Sequence, residues 1–494
     1  MKFHIITLGC PKNTVDSEGM HGILTREGHM AVDASIGADV VIVNTCSFIN
    51  AAREETLGVL HDLGQRKAPG QRLIAAGCMA ESHGELVRER VPAVDATLST
   101  KEWMRIGQIV GGSAVAPSLG IPLMSGGAGF GKQESGIGDQ KSGTSSVMSG
   151  GGFGIELLPA TTDINLNFRP TSTSDTLGSY GDWRTTAIKR HKTGPSAYLK
   201  ISDGCNLRCA FCTIPSFKGD MRSKPMGAIL GEARELVESG VQEIILVAQH
   251  LTDYGRDLGM QGDGLATLLD ELAQVVPADR WIRLMYAYPQ AITPRLIESL
   301  ARHPQICQYL DMPLQHAHPA TLRRMRRPPD TAKTKAIIHA LRDTLPDLAI
   351  RTTFIVGYPG ETRAEFAALL EFLGEMQFDR VGMFRYSLEP GTPAGVLPDQ
   401  VAERTKERRW HEAMGVQQAV SAARTARFLG RSIKVLVEGI GADDDGQPIV
   451  VGRSYRDAPE VDGMVFAHGS APIGTFATVQ VNRTTDYDVW GRVV

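Results

Sequence analysis

Short β-branched runs alternate with helix-length stretches through most of this chain, and that alternation limits the fold more than any other feature. Near the N-terminus FHIITLG (3–9), DVVIVNT (39–45) and RLIAAG (72–77) are each followed by a helical pattern. Successive strands joined through helices lie side by side in one direction, which predicts a parallel sheet. Beyond Pro195 six more runs alternate in the same way: AYLKIS (197–202), EIILVAQ (243–249), IRLMYAY (282–288), YLDMPLQ (309–315), IRTTFIVG (350–357) and RVGMFRYS (380–387). A closed barrel of this kind has eight units, so six predict a partial (β/α)6 barrel with a lateral opening. A polar helix over 398–428 follows, with Gly430 as its expected C-cap residue. The pattern then changes to period two in IKVLVEG, PIVVGRS, MVFAHG, GTFATVQVN and YDVWGRVV, which predicts a small all-β barrel of the oligonucleotide-binding type.

The expected class is therefore α/β, with an N-terminal parallel α/β sheet domain over 1–110, a central partial barrel over 193–426 and a C-terminal β-barrel over 427–494. The Gly- and Ser-rich stretch 111–192 reads as a linker or insertion. Within it GGAGFGKQ (126–133) nearly spells a phosphate loop, but Gln133 stands where Ser or Thr is required and the flanking strand and helix are missing. A net charge of −3 over 494 residues excludes a strongly basic nucleic-acid binder at whole-chain level. No window approaches the roughly 18–20 apolar residues of a membrane span. A cytoplasmic protein without a membrane partner is expected, and in that reducing compartment seven Cys point to metal or redox chemistry before disulfides.

Cys205, Cys209 and Cys212 form C-x3-C-x2-C directly after the first barrel strand, at the end where such barrels carry their catalytic loops. Three thiolates can hold a 4Fe-4S cluster and leave one iron open to a small molecule. Structural zinc is the competing reading, although it favours paired C-x2-C units and four closed ligands. Cys10, Cys46 and Cys78 are remote in sequence, yet each lies just past the carboxyl end of an N-terminal strand. In a parallel sheet those ends share one edge, so the three converge where such folds bind ligands, and a second three-thiolate cluster follows. Buried structural Cys is the alternative there. Cys307 precedes a strand without a partner and is expected in the core. The other barrel strands also end in polar or conformationally special residues, among them Gln249-His250, Gln315-His316 and the loop Gly357 to Glu361. His316 and His318 read as one packed and one solvated ring, not as metal ligands.

C-x3-C-x2-C with an aromatic Phe211 before its last Cys resembles the radical S-adenosylmethionine superfamily. The preceding three-Cys segment and the terminal barrel, which is similar to a TRAM domain, narrow the resemblance to the methylthiotransferases over nearly all the chain except about 113–185. LGCPKNTVDSE, SDGCNLRCAFCTIPSFKGDMRSKP, YLDMPLQHA, MRRP and the DYDVWG ending resemble the RimO branch, which modifies an aspartate of ribosomal small-subunit protein S-twelve. The resemblance implies that Cys205, Cys209 and Cys212 hold the 4Fe-4S cluster that binds S-adenosylmethionine, and that Cys10, Cys46 and Cys78 hold an auxiliary 4Fe-4S cluster carrying the sulfur. It further implies Phe211 beside the adenine, and Gln249, Gly357, Gly360 and Glu361 along the cofactor. The implied reaction takes hydrogen from the aspartate β-carbon through a 5′-deoxyadenosyl radical and installs a methylthio group, with an electron donor such as flavodoxin or ferredoxin.

Two alternatives stay open on sequence alone: a tRNA adenosine methylthiotransferase, and a non-catalytic iron-sulfur carrier. Against tRNA, the residues from Arg427 onward include seven basic and nine acidic side chains, and Asp457, Glu460 and Asp462 are expected to present an acidic surface to a basic ribosomal protein. Nucleic acid is thus the less favoured partner. For the target carboxylate, Lys12, Arg208, Lys218 and Arg222 have suitable charge, each reading first as a surface or loop cation.

Overall fold

This computed structural model describes residues 1–111, 182–186, 189–190 and 194–494; most of the Gly- and Ser-rich stretch, with GGAGFGKQ, lies outside the described residues. The N-terminal strands β1 (Lys2–Thr7), β2 (Met30–Ala31), β3 (Val40–Thr45), β4 (Arg72–Gly77) and β5 (Ala96–Ser99) form one parallel sheet in the order β2-β1-β3-β4-β5. Central β3 is buried at every position, as a strand covered by helices on both faces must be. Sequence reading finds three of the five strands. It misses β2, which has two residues, and β5, whose ATLS carries two hydroxyls and no apolar run.

The central unit begins at β6 (Ser196–Lys200). A small ribbon, β7 (Ser202–Asp203) with β8 (Arg222–Ser223), comes next, and then β9 (Glu243–Val247), β10 (Trp281–Leu284), β11 (Ile306–Asp311), β12 (Ala349–Val356) and β13 (Arg380–Arg385). Six of these pair in parallel in the order β6-β9-β10-β11-β12-β13, an open barrel. Alternate residues serve two cores: Leu199, Ile244, Leu246, Ile282, Leu284 and Leu310 pack against the outer helices, while Tyr198, Ile245, Val247, Met285, Cys307 and Tyr309 fill the inside. Cys307 lies within β11, not ahead of it, and is a buried core residue. The run read as IRLMYAY stops being a strand at Leu284, and Tyr286 two residues on has φ 65°.

The polar helix spans Glu403–Ala426 and is capped by Arg427. Gly430, expected as the cap, lies three residues farther; at φ 78° it turns the chain into the last domain and donates its N–H to Val481 O at 2.9 Å. There β14 (Ser432–Ala442), β15 (Pro448–Ser454), β16 (Val465–His468), β17 (Phe476–Thr484) and β18 (Val489–Val493) close into a barrel in the order β14-β15-β16-β18-β17. Among the described residues, no helix is long and apolar enough to cross a membrane.

This small barrel is joined to the central one by buried ion pairs. Glu243 at the start of β9 accepts from Arg283 (2.6 Å) and from Arg453 of β15 (2.5 Å). Arg380 meets Asp457 at 2.9 Å, and Tyr309 donates its hydroxyl to Asp462 at 2.7 Å. Asp457 and Asp462 therefore face the central barrel with side chains 3% and 1% exposed, and only Glu460 of the three is on the surface. The expected acidic surface formed by all three is overturned, because the interior arginines of the partial barrel require carboxylate partners and these two supply them.

Candidate functional site

The N-terminal triplet is assembled by three consecutive strand ends. Cys10 caps helix α1 (Pro11–Arg26) after β1, Cys46 follows β3 directly ahead of the turn into α2 (Asn50–Gln65), and Cys78 opens α3 (Cys78–Ser82) directly after β4. Gly9, at φ 94°, lets the first loop approach the second, since a Cβ there would sit 2.7 Å from Cys46 Cβ and 2.9 Å from its Sγ. Asn13 ties the loops together: its Nδ2 donates to Leu8 O (2.8 Å) and Thr45 O (3.0 Å), and its Oδ1 faces Cys78 Sγ at 3.8 Å. Sequence reasoning missed Asn13, whose partners are decided only by the sheet order.

The second triplet lies on the loop after β7. Cys205 N–H donates to Gly219 O, and Cys212 N–H to Cys209 O, both at 3.1 Å, which fixes the backbone of the loop. Arg327 Nη1 stands 3.8 Å from Cys209 Sγ, its guanidinium lies 4.4 Å from the centre of the Tyr288 ring, and Nη2 donates to Pro313 O at 2.5 Å. His250, buried against Tyr288 at 5.0 Å, is pushed by burial down to about 4 and is neutral at ordinary pH. His316 is packed and pushed by burial down to about 3, whereas the half-exposed His318 accepts from Ala320 N–H as a helix cap.

The other expected cofactor residues are distributed around this loop. Phe211 packs with Ala210, Met325, Tyr358 and Tyr386. Gln249 donates to Asp203 Oδ1 at 2.7 Å, and its own Oε1 is buried without a partner among the described residues. Gly357 and Gly360 have φ 71° and 72°, and a Cβ on Gly357 would strike Lys406 Cγ at 2.3 Å. Glu361 turns back on that loop: it accepts from the N–H groups of Gly357 and Tyr358 and pairs with Arg409 at 3.2 Å. Burial outweighs these partners and raises its carboxyl to about 7. Its visible task is to hold the loop.

Between the triplets runs a buried seam of charges. Asp16 of α1 pairs with Lys200 of β6, and Lys218 donates to Thr100 (2.7 Å) of the N-terminal domain and to Asp203 (3.0 Å). Burial would raise Asp203, but Lys218 and Lys200 together hold it below the ordinary carboxylate range. Lys218 also acts on the Cys78 thiol. On the other flank Glu389 accepts from Arg53 at 2.7 Å and from Asn50 N–H at 3.0 Å, joining the loop after β13 to α2.

These residues fit iron-sulfur clusters. All seven thiols are free, and each triplet forms one interacting group without a fourth protein ligand among the described residues, the donor set of a cubane with one open iron. Burial pushes Cys78 and Cys212 up to about 12, and Lys218 at the first and Arg327 at the second oppose that shift, as cations beside metal-bound thiolates would. Among the described residues no three His, Cys, Asp or Glu gather tightly enough for a single ion, whereas a cubane takes each thiolate on a separate iron.

Known families match three successive parts of the chain. Residues 2–99 match the uncharacterized protein family UPF0004, 199–373 the radical SAM superfamily and 429–494 the TRAM domain. The ribosomal protein uS12 methylthiotransferase RimO of Herpetosiphon aurantiacus is 72% identical over 498 residues, covering all of both chains. The RimO of Chloroflexus aurantiacus is 60% identical, again over all of both. Among solved structures, the radical S-adenosylmethionine methyltransferase TsrM of Kitasatospora setae covers 80% of this chain and 74% of its own at a TM-score of 0.51 and 13% identity, a likeness of fold. Three matched domains in this order and end-to-end identity of 60–72% establish that the chain belongs to the RimO family of radical S-adenosylmethionine methylthiotransferases, enzymes of the transferase class.

Proposed function

We propose that the protein adds a methylthio group to the β-carbon of an aspartate in ribosomal protein uS12, using two 4Fe-4S clusters and S-adenosylmethionine. The observation that carries this reading is the opposition of two three-thiol sites, each on strand carboxyl ends, across one charged seam in which Lys218 interacts with both Cys78 and Asp203. A carrier needs clusters but no barrel mouth equipped with polar strand-end residues such as Gln249 and Glu361. The relatives' name supplies the substrate class.

When bound, these groups supply one-electron chemistry able to take hydrogen from an unactivated carbon, and a sulfur to place there. Cys205, Cys209 and Cys212 would hold the cluster that takes the cofactor, and Cys10, Cys46 and Cys78 the auxiliary one. The chain's own part is to position and to exclude water. Phe211, with the Tyr358 and Tyr386 rings behind it, offers an apolar wall to an adenine. Gln249 has a free carbonyl oxygen for a polar group of the cofactor. Glu361 acts at one remove, by keeping Gly357 and Gly360 in the turn that lines the site. The ion pairs of the seam hold the two domains against each other.

The test is mass spectrometry of a uS12 loop peptide after anaerobic incubation with reconstituted protein, S-adenosylmethionine, reductant and sulfide. One methylthio group in place of one hydrogen on the aspartate is expected. No gain on the peptide, with gain on tRNA adenosine instead, would overturn the assignment.

A further inference from the structure

A cation buried between the two sites has no counter-charge. Lys12 follows Cys10 by two residues on α1 and is only 7% exposed, not the surface cation that sequence suggests. Among the described residues its ammonium makes no ion pair and no hydrogen bond; it lies 4.2 Å from the centre of the Tyr286 ring. The carboxylates around it are engaged elsewhere. Asp16 is paired with Lys200, and Asp311 with Arg351 at 2.9 Å. Glu460 acts on the Tyr286 ring but forms no ion pair with Lys12. An ammonium on a largely buried side chain, packed against an aromatic ring and without a counter-ion among the described residues, is a ready partner for an anion.

The residue beneath it adds a second, independent observation. Tyr286 has φ 65°, a left-handed conformation that a bulky side chain adopts only when its surroundings enforce it. Here they do: its N–H donates to Asp311 Oδ2 at 3.3 Å and its carbonyl accepts from Leu251 N–H at 3.2 Å. The strain places the ring past the end of β10, at the mouth of the barrel, under the N-terminal domain. Local strain held in place beside a reactive site is a mark of function.

We propose that Lys12, held over Tyr286, is the residue that binds the carboxylate of the target side chain and so selects an acidic residue for modification. This rests on the substrate proposed above. Of the other candidate cations, Lys218 is committed to Asp203 and Thr100 and Arg208 to Asp220 at the surface, while Arg222 lies on β8 with its charge acting on Asp182. A carboxylate entering between the domains would meet the Lys12 ammonium next to the sulfur-bearing site, with the barrel mouth on its other side.

Binding of two uS12 loop peptides to the reconstituted full chain, read by fluorescence anisotropy without reductant, tests this. One peptide carries the target Asp and the other Asn. A charge-assisted contact predicts that the wild type prefers the Asp peptide by about tenfold or more. In Lys12→Gln the preference disappears, and in Lys12→Arg it is kept. A Lys12→Gln protein that still prefers the Asp peptide overturns the inference, as does a wild type that prefers neither. If Lys12→Gln does not take up iron, Tyr286→Leu decides: removing the ring must reduce the preference, and an unchanged preference refutes the role. A wild type that methylthiolates the Asp peptide without any preference strikes this inference alone. One that modifies no peptide strikes the proposed function.

Discussion

Replacing Glu243 by Gln removes one negative charge from between Arg283 and Arg453, whose side chains are 0% and 1% exposed. Arg283 is then left buried without a carboxylate among the described residues, and Arg453 keeps only the partly exposed Glu438, a change that costs about 3–5 kcal/mol. The electrostatics of the buried carboxyl points to a similar size. Burial alone would raise the Glu243 carboxyl, but the two arginines outweigh it and bring it from 4.5 to about 2, which corresponds to roughly 3 kcal/mol. Because the folded value lies below the unfolded one, this contribution is complete above about pH 4.5 and is lost as the pH falls through about 2. The C-terminal barrel should therefore open at least about a hundredfold more often in Glu243→Gln, and hydrogen exchange of the full chain measures that directly. Amides of β14 and β15 should exchange at least about a hundredfold faster, and those of β3, in the other domain, at the wild-type rate. Acceleration below about tenfold, or equal acceleration in both sheets, would refute the claim that this carboxylate holds the domain. Changing Glu243, Arg283 and Arg453 together to Met should recover most of the loss, since packed apolar side chains replace buried ion pairs well.

Ala at Cys205, Cys209 or Cys212 should abolish reductive cleavage of S-adenosylmethionine, followed as 5′-deoxyadenosine by chromatography. Ala at Cys10, Cys46 or Cys78 should abolish methylthio transfer while some 5′-deoxyadenosine is still made; a folded variant of this second group that still modifies peptide would contradict the assignment of the auxiliary site. Gly9→Ala forces a Cβ to within 2.7 Å of Cys46, so iron uptake should fall to that of the second site alone, which an iron assay per chain reads. Trp183 lies 4.5 Å and 5.5 Å under the ammonium groups of Lys200 and Lys224; Trp183→Ala should cost about 3–5 kcal/mol, seen as a lowered denaturation midpoint.

What could be read from the sequence was local. EIILV and IRTTFIV announce strands because every residue needed for the pattern is a neighbour, and C-x3-C-x2-C announces a shared ligand for the same reason. Cys10, Cys46 and Cys78 were legible one step farther, because parallel strand ends meet whatever their separation along the chain. The rest depends on distant partners that leave no local trace. Glu243 looks like the polar start of a strand, and only Arg453, brought in by the last domain, makes it a docking group. Asp457 and Asp462 look like part of a solvated loop until Arg380 and Tyr309 are known to lie beneath them. Lys12 is similar: its burial is imposed by a barrel that begins more than a hundred residues later.

The buried pairs between the central and C-terminal domains also constrain how the chain is made. Arg380 has its carboxylate partner at Asp457, Arg283 donates to the carbonyls of Ser454 and Tyr455, and Arg351 faces Asp462 as well as Asp311. During synthesis the strands carrying these arginines leave the ribosome well before their partners do. Until then Arg380 lacks its carboxylate partner, while Arg283 and Arg351 have only Glu243 and Asp311 of the barrel itself. A polypeptide that ends before Asp457 therefore leaves Arg380 without its buried partner.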